Sequence, residues 1–301
     1  VAEQRDDSER SAEAHHPQDI PLSSWGAILR RLWLVQTGNG LWVMAAGIAY
    51  YGILSILPGL GFVMLTLGMI HGPESIKSDL QHLDRVLPVE ALTMFVDQFA
   101  MMLNRTGGTL RWGITGSLLL MLWSVWLGMR ALIAALNLAY REQECRSFLR
   151  LNAVALLLGI GGLAFVPLTF GVFLEGWTLF PSLGLSAGLA GFLRLARWPV
   201  LIILILMAMA ILYRLGPCRA APKWRWVSWG AATAAVLWLG ASALFTAYAQ
   251  HVVDYESAYG IAGAIITLLL WLNLIAYAIL LGGALNAEME RQTTSDTTSS
   301  R

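Results

Sequence analysis

Arg130 and Asn137 share one helical face of an apolar run, LWSVWLGMRALIAALNLAY at 122–140, in which Arg130 is the sole charge. Residues seven apart lie two turns apart on the same side of a helix, and Ala134 and Arg141 extend that side. Arg130 stands ten residues before Tyr140, about 15 Å at ~1.5 Å rise per residue, which places it near mid-bilayer if the run crosses a membrane. A charge there costs roughly 3 kcal/mol or more and faces protein or a wet cavity. The chemistry on offer is contact with an anion or a headgroup inside such a cavity. The alternative is structural: the guanidinium ties helices together through carbonyls or an acid on another span, or it snorkels to the interface.

Other polar groups sit within apolar runs. Tyr50 and Tyr51, in AAGIAYYGILSILPG at 45–59, point about 100° apart, so one of them can face a cavity while the other packs. Asn273, inside LLLWLNLIAYAI at 268–279, needs a hydrogen-bond partner, because an unpaired amide in lipid is expensive. The segment HVVDYESAYG at 251–260 brings Asp254, Tyr255, Glu256 and Tyr259 together before Gly260. These groups either guard the mouth of a cavity or cap the helix that follows. Asn286 and Glu288 approach a membrane edge, where polarity is cheap and requires no function.

Enzyme chemistry finds little support. A metal-dependent nuclease needs clustered His and acid ligands. The five histidines, His15, His16, His71, His82 and His251, form no such cluster with acids on a helix. There is no Gly-rich nucleotide loop, nucleophile elbow or HExxH. A net charge of +1 and the lack of a basic tract argue against nucleic acid as a partner. The expectation is a non-enzymatic protein without cofactor or metal.

The elements that must hold these residues are membrane spans. Hydrophobic residues make up 57% and charged residues 13% of the 301 positions, and mean hydropathy is +0.62. A water-facing surface needs about twice that charge. Uncharged stretches long enough to cross about 30 Å of hydrocarbon predict an all-α polytopic membrane protein with six spans, at about 41–69, 112–139, 151–173, 196–215, 228–250 and 260–284. Pro58 predicts a kink or break in the first span. PSLGLSAGLAGFL at 181–193 reads as a short packed or re-entrant element rather than a seventh span. In the 70–110 connection, Ile76, Leu80, Leu83 and Leu87, then Leu92, Phe95, Phe99 and Met102, predict amphipathic helices lying on the membrane, ended by Gly107 and Gly108. Residues 1–24 read as a disordered polar leader, 25–290 as one membrane domain and 291–301 as a disordered tail.

Positive charge sets the orientation. Arg30 and Arg31 precede the first span, REQECRSFLR at 141–150 follows the second, and Arg214, Arg219, Lys223 and Arg225 flank the connection after the fourth. The 251–260 segment has no Lys or Arg. Both termini and the two basic connections are therefore expected in the cytoplasm. Cys145 and Cys218 fall in those connections, so two free thiols are expected there rather than a disulfide.

With these motifs assembled, the chain resembles the YihY/BrkB family of bacterial inner-membrane proteins over residues 25–290. The resemblance rests on AAGIAYYGILSILPG, LWSVWLGMRALIAALNLAY, RWPVLIILILMAMAILYRLGP at 197–217, RWVSWGA at 225–231 and YESAYGIAGAIITLLLWLNLIAYAILLGGALNAEME at 255–290. It implies an all-helical inner-membrane fold of about six spans, with Tyr50, Tyr51, Pro58, Arg130, Asn137, Tyr255, Tyr259, Gly260, Asn286 and Glu288 as the recurrent positions. The family carries a ribonuclease BN label and a virulence-factor name, and some members are connected with export of lipid precursors. Glu256 stands where the family usually has Asn, and Ala284 where it commonly has an acid. If that acid partners Arg130 elsewhere, this chain must neutralise the arginine in another way.

The functional expectation is a transporter or flippase-like protein for a lipid or other anionic amphiphile, with Arg130, Asn137, Tyr50, Tyr51, Asn273, Tyr255, Glu256 and Tyr259 as substrate contacts. The alternative is a non-catalytic scaffold or envelope-assembly factor. The partners expected are membrane lipids or an amphiphilic substrate, with a homo-oligomer or an envelope protein left open.

Overall fold

Peptide groups in hydrocarbon find no water to bond, so apolar runs of this length must close their hydrogen bonds internally as helices. The computed structural model describes residues 22–38, 40–71, 107–174, 187–219, 224–252 and 261–291. Among them lie seven helices: α1 (Leu22–Gly38), α2 (Leu41–His71), α3 (Gly107–Ala139), α4 (Phe148–Leu174), α5 (Ala187–Leu215), α6 (Trp224–Val252) and α7 (Ile261–Arg291). The fold is all-α. Five helices carry stretches long and apolar enough to cross a membrane: Leu41–Phe62, Arg111–Ala139, Phe148–Thr169, Leu195–Leu215 and Ile265–Arg291. α6 contributes a shorter apolar stretch, Trp229–Phe245.

Several boundaries differ from the sequence expectation. Helix α1 already begins at Leu22, inside the segment expected to be a disordered leader. Gly107 and Gly108 open α3. Residues 187–193 are not a separate element but form the first turns of α5, while 181–186 lie outside the described residues. Helix α2 runs unbroken through Pro58, as α4 does through Pro167 and α5 through Pro199. One lost backbone bond does not end a helix that lipid forbids from unwinding. The outer amphipathic helices fall almost wholly, at 72–106, outside the described residues.

The chain divides into two compact units. The first holds α1, the start of α2 to Ala45, α3 from Met129, all of α4 and α5, α6 to Ala241 and α7 from Ile275. In it Ile28 packs with Leu285 and Met289, flanked by Trp25 and Leu32. Leu41, Ala139 and Ala284 form a second cluster, with Leu32 and Tyr277 against it. Helix α1 is thus pinned to the end of α7 by its buried side, while Leu29, Trp33 and Leu34 remain exposed beside Arg30 and Arg31. An aromatic with basic neighbours suits the membrane interface.

The second unit comprises Ala46–Gly128 and Ser242–Leu274. Small residues let its helices close on one another. A Cβ on Gly128 would lie 3.1 Å from the Tyr51 Cβ, and one on Gly52 would lie 3.3 Å from Leu272. The Trp271 indole N–H donates to Ser242 Oγ at 3.3 Å. In both units large apolar side chains, such as Val43, Leu149 and Leu195 of the first and Trp112 and Leu244 of the second, are more than two thirds exposed. In water this surface would aggregate; hydrocarbon covers it.

Candidate functional site

The chemistry concentrates in the first unit, at the C-terminal end of α3. The helix closes with a paired carbonyl cap: Glu142 N–H donates to Asn137 O at 2.8 Å and Arg141 N–H to Leu138 O at 3.0 Å. That pattern needs a left-handed residue, usually glycine, just past the end. Here Arg141 fills it at φ 53°. The turn aims the 142–147 connection back along the helix it has just left.

The Asn137 amide then fastens two connections at once. Its Nδ2 donates to Glu144 Oε2 at 2.9 Å, and its Oδ1 accepts the Cys218 backbone N–H at 2.8 Å. Arg146 completes the knot. It grips the Glu144 carboxylate through Nε at 2.6 Å and Nη2 at 2.8 Å, and donates to the carbonyls of Leu215 and Gly216 at 2.9 and 2.7 Å. Hydrogen bonding from Arg146 holds the Glu144 carboxyl below the usual carboxylate range. Asn137 is therefore a buried structural tie, with both ends of its amide occupied.

Beside this knot lies an open pocket of about 410 Å³, lined by Met44, Arg130, Ile133, Ala134, Asn137, Leu138, Glu142, Glu144 and Leu151. Arg130 is half-buried, and its guanidinium carbon stands 5.9 Å from the ring centre of Phe148, the first residue of α4. The side chain thus reaches from the α3 interior toward the end where α4 begins. A flexible stem lets an arginine charge sit away from the depth of its own backbone. An acid at position 284 would not pair with Arg130. Ala284 is fully buried against Ala139 and Leu41, nine residues beyond Arg130 along α3.

The end of α7 supplies a buried ionic cluster that sequence reasoning had assigned to a cheap membrane edge. Asn286, Glu288 and Glu290 are at most 2% exposed. Asn286 Oδ1 accepts the Gly230 N–H at 2.7 Å, and a Cβ on Gly230 would fall on that amide. Glu288 lies 3.4 Å from Arg31 and 3.3 Å from Arg141. Glu290 takes two 2.8 Å bonds from Arg219, whose guanidinium also covers the Tyr140 ring at 4.4 Å and donates to Tyr213 O. Arg291 donates to Tyr140 O at 2.7 Å. Burial pushes the Tyr140 phenol up to about 12, so it is neutral at physiological pH. Tyr140, Tyr213, Arg219 and Glu290 were absent from the expected site. Their one sequence signal was charge at the ends of apolar runs, which ordinarily marks a solvated edge.

Of the expected residues, Arg130 and Asn137 come together in the pocket. Tyr50, Tyr51 and Asn273 belong to the second unit and do not line it. Tyr50 is exposed, with its ring set edge-on against Tyr51 at 5.4 Å. Asn273 is buried, and its Oδ1 meets no hydrogen-bond donor among the described residues. Tyr255, Glu256 and Tyr259 lie outside the described residues.

The cysteines also depart from expectation. Cys145 and Cys218 are joined as a disulfide, with Cα atoms 5.9 Å apart. The spacing that suggested separate loops concealed that Asn137 and Arg146 draw those loops together. With Glu144 the two sulfurs form a group of metal-type donors within 4.8 Å. Both Glu144 oxygens are already occupied by Arg146 and Asn137, so the group offers a metal no open ligand in this state.

These features define a polytopic helical membrane protein with a buried polar cluster in its first unit. The chain belongs to the family described as Virulence factor BrkB, which matches residues 36–301. It is thus a multi-pass protein of the bacterial inner membrane, as the motifs at 45–59, 122–140 and 255–290 implied. It is 32% identical over 253 residues to the protein named "Putative ribonuclease-like protein YfkH" of Bacillus subtilis, covering 82% of this chain and 90% of that one. It is 27% identical over 269 residues to a UPF0761 membrane protein of Tolumonas auensis, covering 86% and 83%. A UPF0761 membrane protein of Idiomarina loihiensis is 29% identical over 165 residues, 54% of this chain and 56% of the relative. No solved structure matches.

Proposed function

We propose that this protein moves a lipid or lipid-like amphiphile, receiving its headgroup in the pocket beside Arg130. The observation that carries the reading is Arg130 lining an open pocket walled by apolar residues of membrane-spanning helices and, at one side, by Glu142 and Glu144 of the connection after α3. The volume, about 410 Å³, falls in the range of small-molecule sites. A lipid could place its polar end there and leave its chains in the bilayer.

The lining refines the substrate. Arg130 brings a guanidinium to the lining, and Glu144 is paired with Arg146. The guanidinium complements the phosphate of a headgroup. Ribonuclease chemistry is not part of this proposal, since the described pocket offers no metal-ligand set and no basic aromatic surface for RNA.

The test is translocation of fluorescent phosphatidylethanolamine and phosphatidylglycerol in proteoliposomes holding the parent or Arg130→Ala protein. The expected result is transport by the parent, reduced at least tenfold in the variant. Equal rates in both proteins, or no transport in either, would end the proposal.

A further inference from the structure

The two cysteines stand apart from the headgroup reading and support a separate inference. Cys145 is exposed, whereas Cys218 is 7% exposed and anchored by its backbone N–H to Asn137. The sequence contains two cysteines in all, and the structure pairs them across a separation of 73 residues. Both lie in connections that the Lys and Arg distribution assigns to the cytoplasm, where reductants keep structural disulfides from persisting. A disulfide on that side must therefore be one of two states.

The surrounding knot explains how both states can share one fold. Arg146 bonds to the carbonyls of Leu215 and Gly216, and Asn137 holds both Glu144 and the Cys218 amide. None of these bonds involves sulfur. The two connections stay together when the sulfurs part, which keeps the thiols adjacent and makes their closure effectively intramolecular.

We propose that Cys145 and Cys218 form a reversible thiol–disulfide site on the cytoplasmic face that responds to peroxide. The exposed Cys145 thiolate attacks one peroxide oxygen, forming the sulfenic acid and releasing hydroxide. Cys218 then attacks the Cys145 sulfur, forming the S–S bond and expelling the sulfenic oxygen as water. In sum, two thiols and one hydrogen peroxide give one disulfide and two waters. A dithiol reductant reverses the closure by exchange, becoming a disulfide itself. Exposed Cys145 is the sulfur the oxidant reaches, and buried Cys218 is the resolving group.

The test uses the full chain in intact cells, with acid quenching followed by alkylation with a maleimide-polyethylene glycol that adds a visible mass to each free thiol. Growing cells are expected to show two adducts. Minutes of hydrogen peroxide should leave none, and dithiothreitol applied to the membranes should restore both. Cys145→Ser should keep one adduct throughout. Arg146→Ala should slow closure about tenfold while its own membrane insertion and thermal unfolding midpoint stay close to the parent's, which marks a positioning effect and not loss of fold. Two adducts persisting after peroxide would overturn the proposal. So would no adducts before peroxide together with resistance to dithiothreitol, which describes a permanent cross-link. A disulfide-linked dimer on a non-reducing gel would overturn it too. None of these outcomes depends on lipid transport.

Discussion

Arg219 and Glu290 meet through two 2.8 Å hydrogen bonds with neither side chain exposed, joining the connection after α5 to the last turn of α7. Tyr140, at the end of α3, lies under the same guanidinium. One ion pair thus gathers three chain segments at one end of the first unit.

Removing one partner of such a pair strands a buried charge, at a cost of about 3–5 kcal/mol. Glu290→Gln and Arg219→Ala are each expected to lower the thermal unfolding midpoint of the purified protein in detergent by many degrees. The apolar double variant Arg219→Met with Glu290→Leu should recover part of that loss. A double variant as unstable as the sum of the singles would show that the pair was not coupled.

Arg141 presents the opposite case, a residue kept in an unfavourable conformation by its partner. Its φ of 53° costs a non-glycine residue about 1 kcal/mol, while its guanidinium reaches the buried Glu288 at 3.3 Å. Arg141→Ala keeps the backbone cost and loses the pairing. Arg141→Gly loses the pairing but relieves the backbone. The glycine variant should therefore be the more stable of the two by about 1 kcal/mol, measured by denaturant titration. The reverse order would mean that the left-handed cap carries no strain.

How much of this was legible beforehand depends on the range of the interaction. The spans were legible because lipid imposes one length and one hydrogen-bonding solution on every crossing. The shared face of Arg130 and Asn137 was legible because helical spacing is local. The function of Asn137 was not, since both of its partners, Glu144 and Cys218, lie beyond the helix end, one of them 81 residues away. For the same reason Glu288 looked like an edge residue, and Glu290 carried no expectation at all; only the approach of Arg31, Arg141 and Arg219 shows them to be buried pairs. The cysteine pairing failed on the same ground. It is a product of tertiary closure, and no spacing rule encodes it.

The Glu144 knot should be sensitive to acid. Arg146 and Asn137 favour the ionised carboxylate, so its pKa in the folded protein lies below the unfolded value. The stabilisation it gives is present at neutral pH and is lost as pH falls through the lowered value. The difference in unfolding midpoint between the parent and Glu144→Gln should thus be full at pH 7 and shrink as pH is taken below about 4. A difference that does not change with pH would mean that the charge of Glu144 contributes nothing to the knot.

Arg130 decides whether the pocket communicates with water. Its guanidinium reaches the first residue of α4, and the pocket around it is open, so a small reagent should find this position from the end where the 140–147 connection lies. In a Cys145→Ser, Cys218→Ser background, Arg130→Cys should react within minutes with a charged methanethiosulfonate in inside-out vesicles and slowly in right-side-out ones. Ala135→Cys, at a fully buried position five residues on, should stay unmodified in both. An ethylammonium reagent would also return a positive charge to position 130, so any transport lost in Arg130→Cys should partly recover after labelling. Failure to react from either side would mean that the pocket is sealed in the bilayer, and no headgroup could then enter it from the aqueous phase.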